Sequence, residues 1–313
     1  MVLFFLKNKP IMHNRRIFTI GEIVYDIIFS DGQPVAARPG GAMLNSSVSL
    51  GRSRLPVSFT GTCGNDQVGR LIEQFLKDNG VDTSFLHMEN APSIIALAFL
   101  DENNNATYSF HKGAGPPEDP PLPSPGENDL LLFGSFYSVS EPTRHAAIRL
   151  RNMAASSGSL VIYDPNFRAS HLADLDMVKP YIEDNITHSV IVRGSDEDFE
   201  NIFGTASAAE TWELPCFRNC TALLYTRSSE GVELCTRDYI THYDVPKIKP
   251  VSTIGAGDSF NAGIIAALYE EGIDSRKLAN CTEEVWKKVV EKGIQYSSAV
   301  CLSYDNYIAF PLN

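Results

Sequence analysis

The sequence has no apolar run approaching the ~18 residues that cross a bilayer, so a helical membrane span is excluded. The opening MVLFFL is too short for the apolar segment of a secretory signal and has no basic residue before it. Cysteine is sparse: six residues, at 63, 216, 220, 235, 281 and 301, in 313. Only Cys216 and Cys220 lie close together, and neither a second pair nor a pair of histidines completes a zinc pattern. Scattered thiols in a chain this long argue against a disulfide framework and for a reduced, cytoplasmic setting. Positive charge is also short, with 26 Lys and Arg against 38 Asp and Glu and a net charge of -12. That balance argues against nucleic acid or an anionic membrane as partner, but not against a small anion held by a local cluster. Three nucleotide and hydrolase signatures are missing as well: no Walker lysine follows a glycine loop, no G-x-G-x-x-G is present, and no G-x-S-x-G elbow occurs.

What is present is an alternation. Short apolar runs recur in RIFTIGEIVYDIIF, SIIALAFL, DLLLFGSF, SLVIYDPN, HSVIVRG and TALLYT, most of them closed by Gly, Asp or Pro. Such runs are expected for strands buried on both faces. Helical stretches lie between several of them. In DQVGRLIEQFLKDNG, Val68, Leu71, Ile72, Phe75 and Leu76 form one stripe and Gly80 ends it. In EPTRHAAIRLRNMAASSG, Pro142 suits a first turn and Gly158 a stop. Strand, helix, strand in series predicts a mostly parallel sheet covered on both faces.

Two segments break the alternation. Residues 24–39 and 93–112 read as strands without helices between them, with DENNNATY as a hairpin turn. They predict a small second sheet. GAGPPEDPPLPSPGEND, with six prolines, predicts a stiff surface connection rather than a domain boundary. One domain over 16–313 is expected, after an extension over 1–15.

The chemistry concentrates in TIGAGDSFNAG, Thr253 to Gly263. Gly255, Ala256 and Gly257 precede or open an apolar helix, so their N–H groups face outward at the positive helix end and form an anion hole. Asp258 follows at once. A carboxylate beside such a hole can accept a proton from a hydroxyl while the amides hold phosphoryl oxygens, the pairing that in-line phosphoryl transfer needs; helix capping is the plainer use of such an Asp. Asp26 ends a strand in this reading, where ligands of open α/β sheets sit. Gly40 and Gly41 allow close backbone approach, and Asn45 can donate and accept. Arg168 can grip a phosphate or carboxylate bidentately, or serve a structural ion pair. Asp164 and Asn166 read as turn formers. The histidines show no metal spacing.

STIGAGDSFNAG resembles the signature DTxGAGDxFxAG of the ribokinase/PfkB carbohydrate kinases. GEIVYDII, PGGAMLNSS, GTCGNDQVGRLIEQFLKDNGVDTS, DPNFR, VRGSDEDFENIFG and YTRSSEGVEL are similar, in order, to the family's other segments, and the first and fourth resemble its fructokinase branch. The resemblance spans about Phe18 to Pro311. It implies a ribokinase-like three-layer α/β sandwich with a small β-sheet lid, and transfer of phosphate from ATP to a sugar hydroxyl with Mg2+ on the phosphates. By the same resemblance Asp258 is the base and Gly255 to Gly257 hold the transition-state charge. Asp26, Gly40, Gly41, Asn45 and Arg168 contact the sugar, Thr226, Ser228 and Gly231 lie on the nucleotide side with Gly257, and Asp198 reaches Mg2+ through water.

Departures from the pattern have consequences. Ser252 replaces the signature's first Asp and SYDNYIAFP lacks a glycine, which leaves K+ activation in doubt. Met43 stands in place of a common Pro and is expected to reshape the sugar loop. The resemblance favours fructose or a similar ketohexose, with 2-keto-3-deoxygluconate and a nucleoside as rivals. A sugar-binding regulatory protein without turnover is the alternative of another class, and a homodimer through lid edges is expected.

Overall fold

A computed structural model describes residues 15–100, 106–113 and 115–310. The expected extension (except Arg15) and the tip of the expected hairpin lie outside the described residues.

The chain opens with β1 (Ile17–Ile20), β2 (Val24–Ser30), β3 (Gln33–Gly40) and α1 (Ala42–Arg52), then β4 (Val57–Gly64), α2 (Gln67–Asp78) and β5 (Asp82–Glu89). The hairpin β6 (Ile95–Leu100) and β7 (Ala106–His111) follows, and the proline-rich connection leads to β8 (Leu130–Gly134) and α3 (Glu141–Ser157). Next come β9 (Leu160–Asp164), α4 (Leu175–Thr187), β10 (Ile191–Ser195), α5 (Asp196–Phe203) and α6 (Ala208–Trp212). The chain closes with β11 (Ala222–Thr226), β12 (Val232–Cys235), β13 (Ile240–Tyr243), α7 (Ala256–Glu270), α8 (Ser275–Leu278) and α9 (Glu283–Cys301).

Nine strands form the main sheet in the order β13-β12-β11-β10-β9-β8-β1-β4-β5. Neighbours from β11 to β5 are parallel, and β12 and β13 add an antiparallel edge. β1, β8 and β9 are buried along their whole length, because both faces are covered. Alternate residues feed two cores: Ile17, Leu130, Leu132 and Ile162 pack towards α1, α2, α7 and α9, while Phe18, Leu131, Phe133 and Val161 pack towards α3 and α4. The architecture is the three-layer α/β sandwich that the alternation implies.

Local signals account for the helix ends. Asp66 caps α2 through Gly69 N at 2.8 Å, and Pro142 and left-handed Gly158 bound α3. Within the α2 stripe Ile72 and Leu76 are buried, whereas Leu71 is 47% exposed. Arg15, expected in the extension, is buried and donates to Leu268 O at 2.9 Å and to Ile273 O, tying the start of the domain to the end of α7. No helix among the described residues is long and apolar enough to cross a membrane, and all six cysteines are free.

A second sheet of four strands, β3-β2-β6-β7, stands apart from the first. This arrangement corrects the placing of Asp26. The main-sheet strand β1 stops at Ile20, and Asp26 lies inside β2 of the smaller sheet, paired with Arg38 on β3. The apolar run RIFTIGEIVYDIIF is therefore two strands, broken at Gly21–Ile23, and continuous hydrophobicity conceals the break.

Candidate active site

Three elements converge on Asp258. It is the third residue of α7, whose N-cap Gly255 is left-handed at φ 79°. A Cβ on Gly255 would lie 2.2 Å from Asn306 O, so glycine is required there on two counts. Ala256 N–H turns back to Thr253 O at 3.2 Å. Among the described residues the N–H groups of Gly255, Gly257 and Asp258 have no protein acceptor, which leaves a cradle of main-chain donors at the positive end of a helix of 15 residues. The cradle is thus shifted relative to the expected triplet: Ala256 leaves it and Asp258 N joins it.

The Asp258 carboxyl is buried, and Asn45 Nδ2 on α1 donates to its Oδ2 at 2.9 Å. Ser46 Oγ holds the Asp258 carbonyl at 2.9 Å. Burial pushes the carboxyl up to about 7, against the Asn45 hydrogen bond and the charge of Arg168, which favour ionisation. A base poised near neutrality suits proton abstraction from a hydroxyl. Asn45 was expected to meet the sugar; here it holds the base, and its Oδ1 is buried without a partner.

α1 starts at Gly41, whose φ of 130° and close approach to Glu22 O exclude a side chain. A Cβ on Gly40 would lie 2.4 Å from Asp26 Oδ2, so the glycine pair makes room for the lid carboxylate. Burial raises Asp26 to about 6, opposed by Arg38. Met43 is fully buried and packs on Gly21.

Arg168 follows β9, is exposed, and has no ion-pair partner among the described residues, so the structural ion pair considered for it is absent. Its charge reaches Asp258. Asn166 N–H closes a turn on Asp164 Oδ1 at 2.9 Å, but Asp164 does more than form that turn. Its Oδ2 accepts from Arg193 at 3.0 Å and from Asn261 at 2.6 Å. Arg193 and Asn261 went unnoticed in the sequence; NAG after the signature Asp was the only available hint for the latter.

Other expected residues lie elsewhere. Thr226 turns inward and accepts from Arg193 at 2.8 Å. Ser228, at φ 46°, is exposed, whereas Gly231, at φ 110°, is buried at the end of the β11–β12 turn, where a Cβ would meet Tyr243 O at 2.5 Å. Asp198 is engaged by donors from its own fold. Its oxygens accept from Phe167 N at 2.7 Å, Ser195 N at 2.8 Å and Ser195 Oγ at 2.7 Å, in a capping box that pins the DPNFR loop to α5. Among the described residues no group of three or more His, Cys, Asp and Glu could hold a metal ion. Ser252 Oγ accepts from Ile254 N at 3.2 Å and closes the turn before the cradle.

Comparison with known proteins places the chain in a family. Residues 14–308 match the pfkB family carbohydrate kinases. The chain belongs to that family. It is 27% identical over 267 residues to the fructokinase of Escherichia coli, covering 83% of this chain and 86% of that one. It is 25% identical over 259 residues to the aminoimidazole riboside kinase of Salmonella typhimurium, covering 81% of each. Among solved structures, the fructokinase of Vibrio cholerae with fructose, ADP and calcium superposes with a TM-score of 0.81 at 21% identity, over 95% of this chain and 96% of that one. Aminoimidazole riboside kinase from Salmonella enterica, with its riboside and an ATP analogue, gives 0.80 at 23% identity, over 95% and 97%. The ribokinase-like fold and an ATP-dependent carbohydrate kinase activity follow from family membership.

Proposed function

We propose that this pfkB-family kinase transfers the γ-phosphoryl group of ATP to a hydroxyl of fructose or a similar ketohexose. The observation that carries the reading is the pairing of the buried Asp258 carboxylate with unpartnered amides in the same helical turn. Asp258 accepts the hydroxyl proton, the freed oxygen attacks the γ-phosphorus, and the bond from that phosphorus to the ADP oxygen breaks. The cradle takes the charge that develops on the phosphoryl oxygens. Asp26, Gly40 and Gly41 bind the sugar, and Arg168 adds positive charge. A divalent ion bound with ATP would neutralise phosphate charge, while the proton transfer and the charge-holding described above fall to this chain's own groups.

The four-stranded sheet acts as a lid that keeps water from the phosphoryl group. Its strands β3 and β7 are edges, and Val35 on β3 is 59% exposed, so pairing of two lids in a homodimer is part of the proposal. Sedimentation of the purified chain should give twice the monomer mass; a monomer at all concentrations discards the lid pairing.

A second reading takes a riboside as acceptor, on the strength of the aminoimidazole riboside kinase relative and structure. A coupled ADP-release assay over fructose, other ketohexoses, 2-keto-3-deoxygluconate and nucleosides, with and without K+, separates these. Fructose should give the highest kcat/KM. ADP release with none of them, alongside sugar-dependent thermal stabilisation, would favour the non-catalytic sugar-binding alternative.

A further inference from the structure

Beneath the first turn of α7 lies a cation that the reaction above does not use. Arg193, in the middle of β10, is 8% exposed. Its two terminal nitrogens donate to Asp164 at 3.0 Å and Thr226 at 2.8 Å, and its Nε is buried without an acceptor. The guanidinium lies against Gly257: a Cβ there would sit 2.7 Å from one terminal nitrogen and 3.2 Å from Cζ. The ring of Phe260 is 5.7 Å from Cζ. Three strands and α7 therefore meet on one buried cation and its counter-ion.

Stability does not explain the choice of residue. A buried ion pair is a weak source of stability compared with apolar packing. A helix N-terminus favours anions, so a cation beneath it is unfavourable for the helix alone. The same cation is favourable once an anion rests on the amides above.

We propose that Arg193 is a positioning residue for phosphoryl transfer, holding Gly257 in place from beneath and adding positive charge under the amide cradle, with Asp164 tempering that charge. The inference rests on Asp258 being the base. The groups that face Asp258 are Asn45 from α1, Arg168 and Asp164 from β9 and its loop, and Arg193 from β10; Asp198 on α5 in turn faces Asp164. Arg168 and Arg193 favour the ionised base, and Asp164 opposes it.

The test is kcat against pH for wild type, Arg193→Met, Arg193→Lys, Asp164→Asn and Asp258→Asn. Arg193→Met should lower kcat roughly tenfold or more. It should also move the acid limb up by about one pH unit. Asp164→Asn should move the limb down, and Arg193→Lys should fall between wild type and Met, since it keeps the charge but not the fork. If Arg193→Met does not fold, Arg193→Gln, which removes the charge but keeps a polar side chain, makes the same charge test. Lower melting temperatures with an unmoved acid limb would overturn the proposal. A fully active Asp258→Asn would instead overturn the base assignment beneath it.

Discussion

Asn45 and Asp258 are joined by a hydrogen bond of 2.9 Å although 213 residues separate them. The bond connects the helix after the glycine pair to the first turn of α7. It also favours the ionised carboxylate. Asn45→Ala should therefore raise the pH at which activity is half lost on the acid side, and should lower kcat at pH 7 by about tenfold to a hundredfold. Profiles of kcat against pH for the two proteins check this; superimposable acid limbs would separate Asn45 from the base.

Gly257 is confined from below by Arg193. Gly257→Ala should push against the guanidinium, costing roughly 1–3 kcal/mol of stability. It should also lower kcat, because the cradle shifts. Gly255→Ala should be worse, since it meets the Asn306 backbone and a left-handed φ of 79° at once. Thermal denaturation and steady-state kinetics should rank the two in that order.

Asp26 belongs to the smaller sheet, and burial raises it to about 6. Asp26→Ala should raise KM for sugar far more than KM for ATP. In the wild type, KM for sugar should climb as pH falls through about 6 and the carboxylate takes up its proton. Equal changes in both Michaelis constants would misplace the residue.

Asp198 is held by Phe167 and Ser195 donors. Asp198→Ala removes acceptors for Phe167 and Ser195 and should cost about 1–3 kcal/mol. The Mg2+ concentration for half-maximal activity should stay where it is in the wild type; a large rise would return Asp198 to the metal.

Much of this protein can be read along the chain. Strands such as Leu130–Gly134 are continuous apolar runs, and the amide cradle and its carboxylate are adjacent in sequence, so local periodicity and glycine spacing expose them. Relations between distant segments are harder to see. Arg193 looks like a charge closing a strand, and its role depends on Asp164, Thr226 and Gly257, which only the fold brings together. Asp26 reads as the end of a strand, but the apolar run holds two strands of different sheets and Asp26 lies inside the second. The spacing of Asp198 from Ser195 suits a capping box as well as a family motif, and its hydrogen bonds to Ser195 and Phe167 appear only in the fold.

A base raised by burial has a cost in stability. Asp258 holds its proton to about pH 7 in the folded chain but only to about 4 when unfolded. The folded state binds more protons between these values, so stability falls as pH rises through that window. Asp258→Asn removes the buried charge and should stabilise the protein by roughly 1–3 kcal/mol at pH 8, with a smaller gain near pH 4. Urea unfolding at the two pH values reads this difference directly.

The most direct measurement is the turnover of Asp258→Asn with sugar and ATP binding followed by calorimetry on the same sample. Both ligands should bind within a few-fold of wild type while kcat falls by roughly a hundredfold to ten-thousandfold. A variant that binds both ligands and turns over at close to the wild-type rate would contradict the assignment of Asp258 as the proton acceptor.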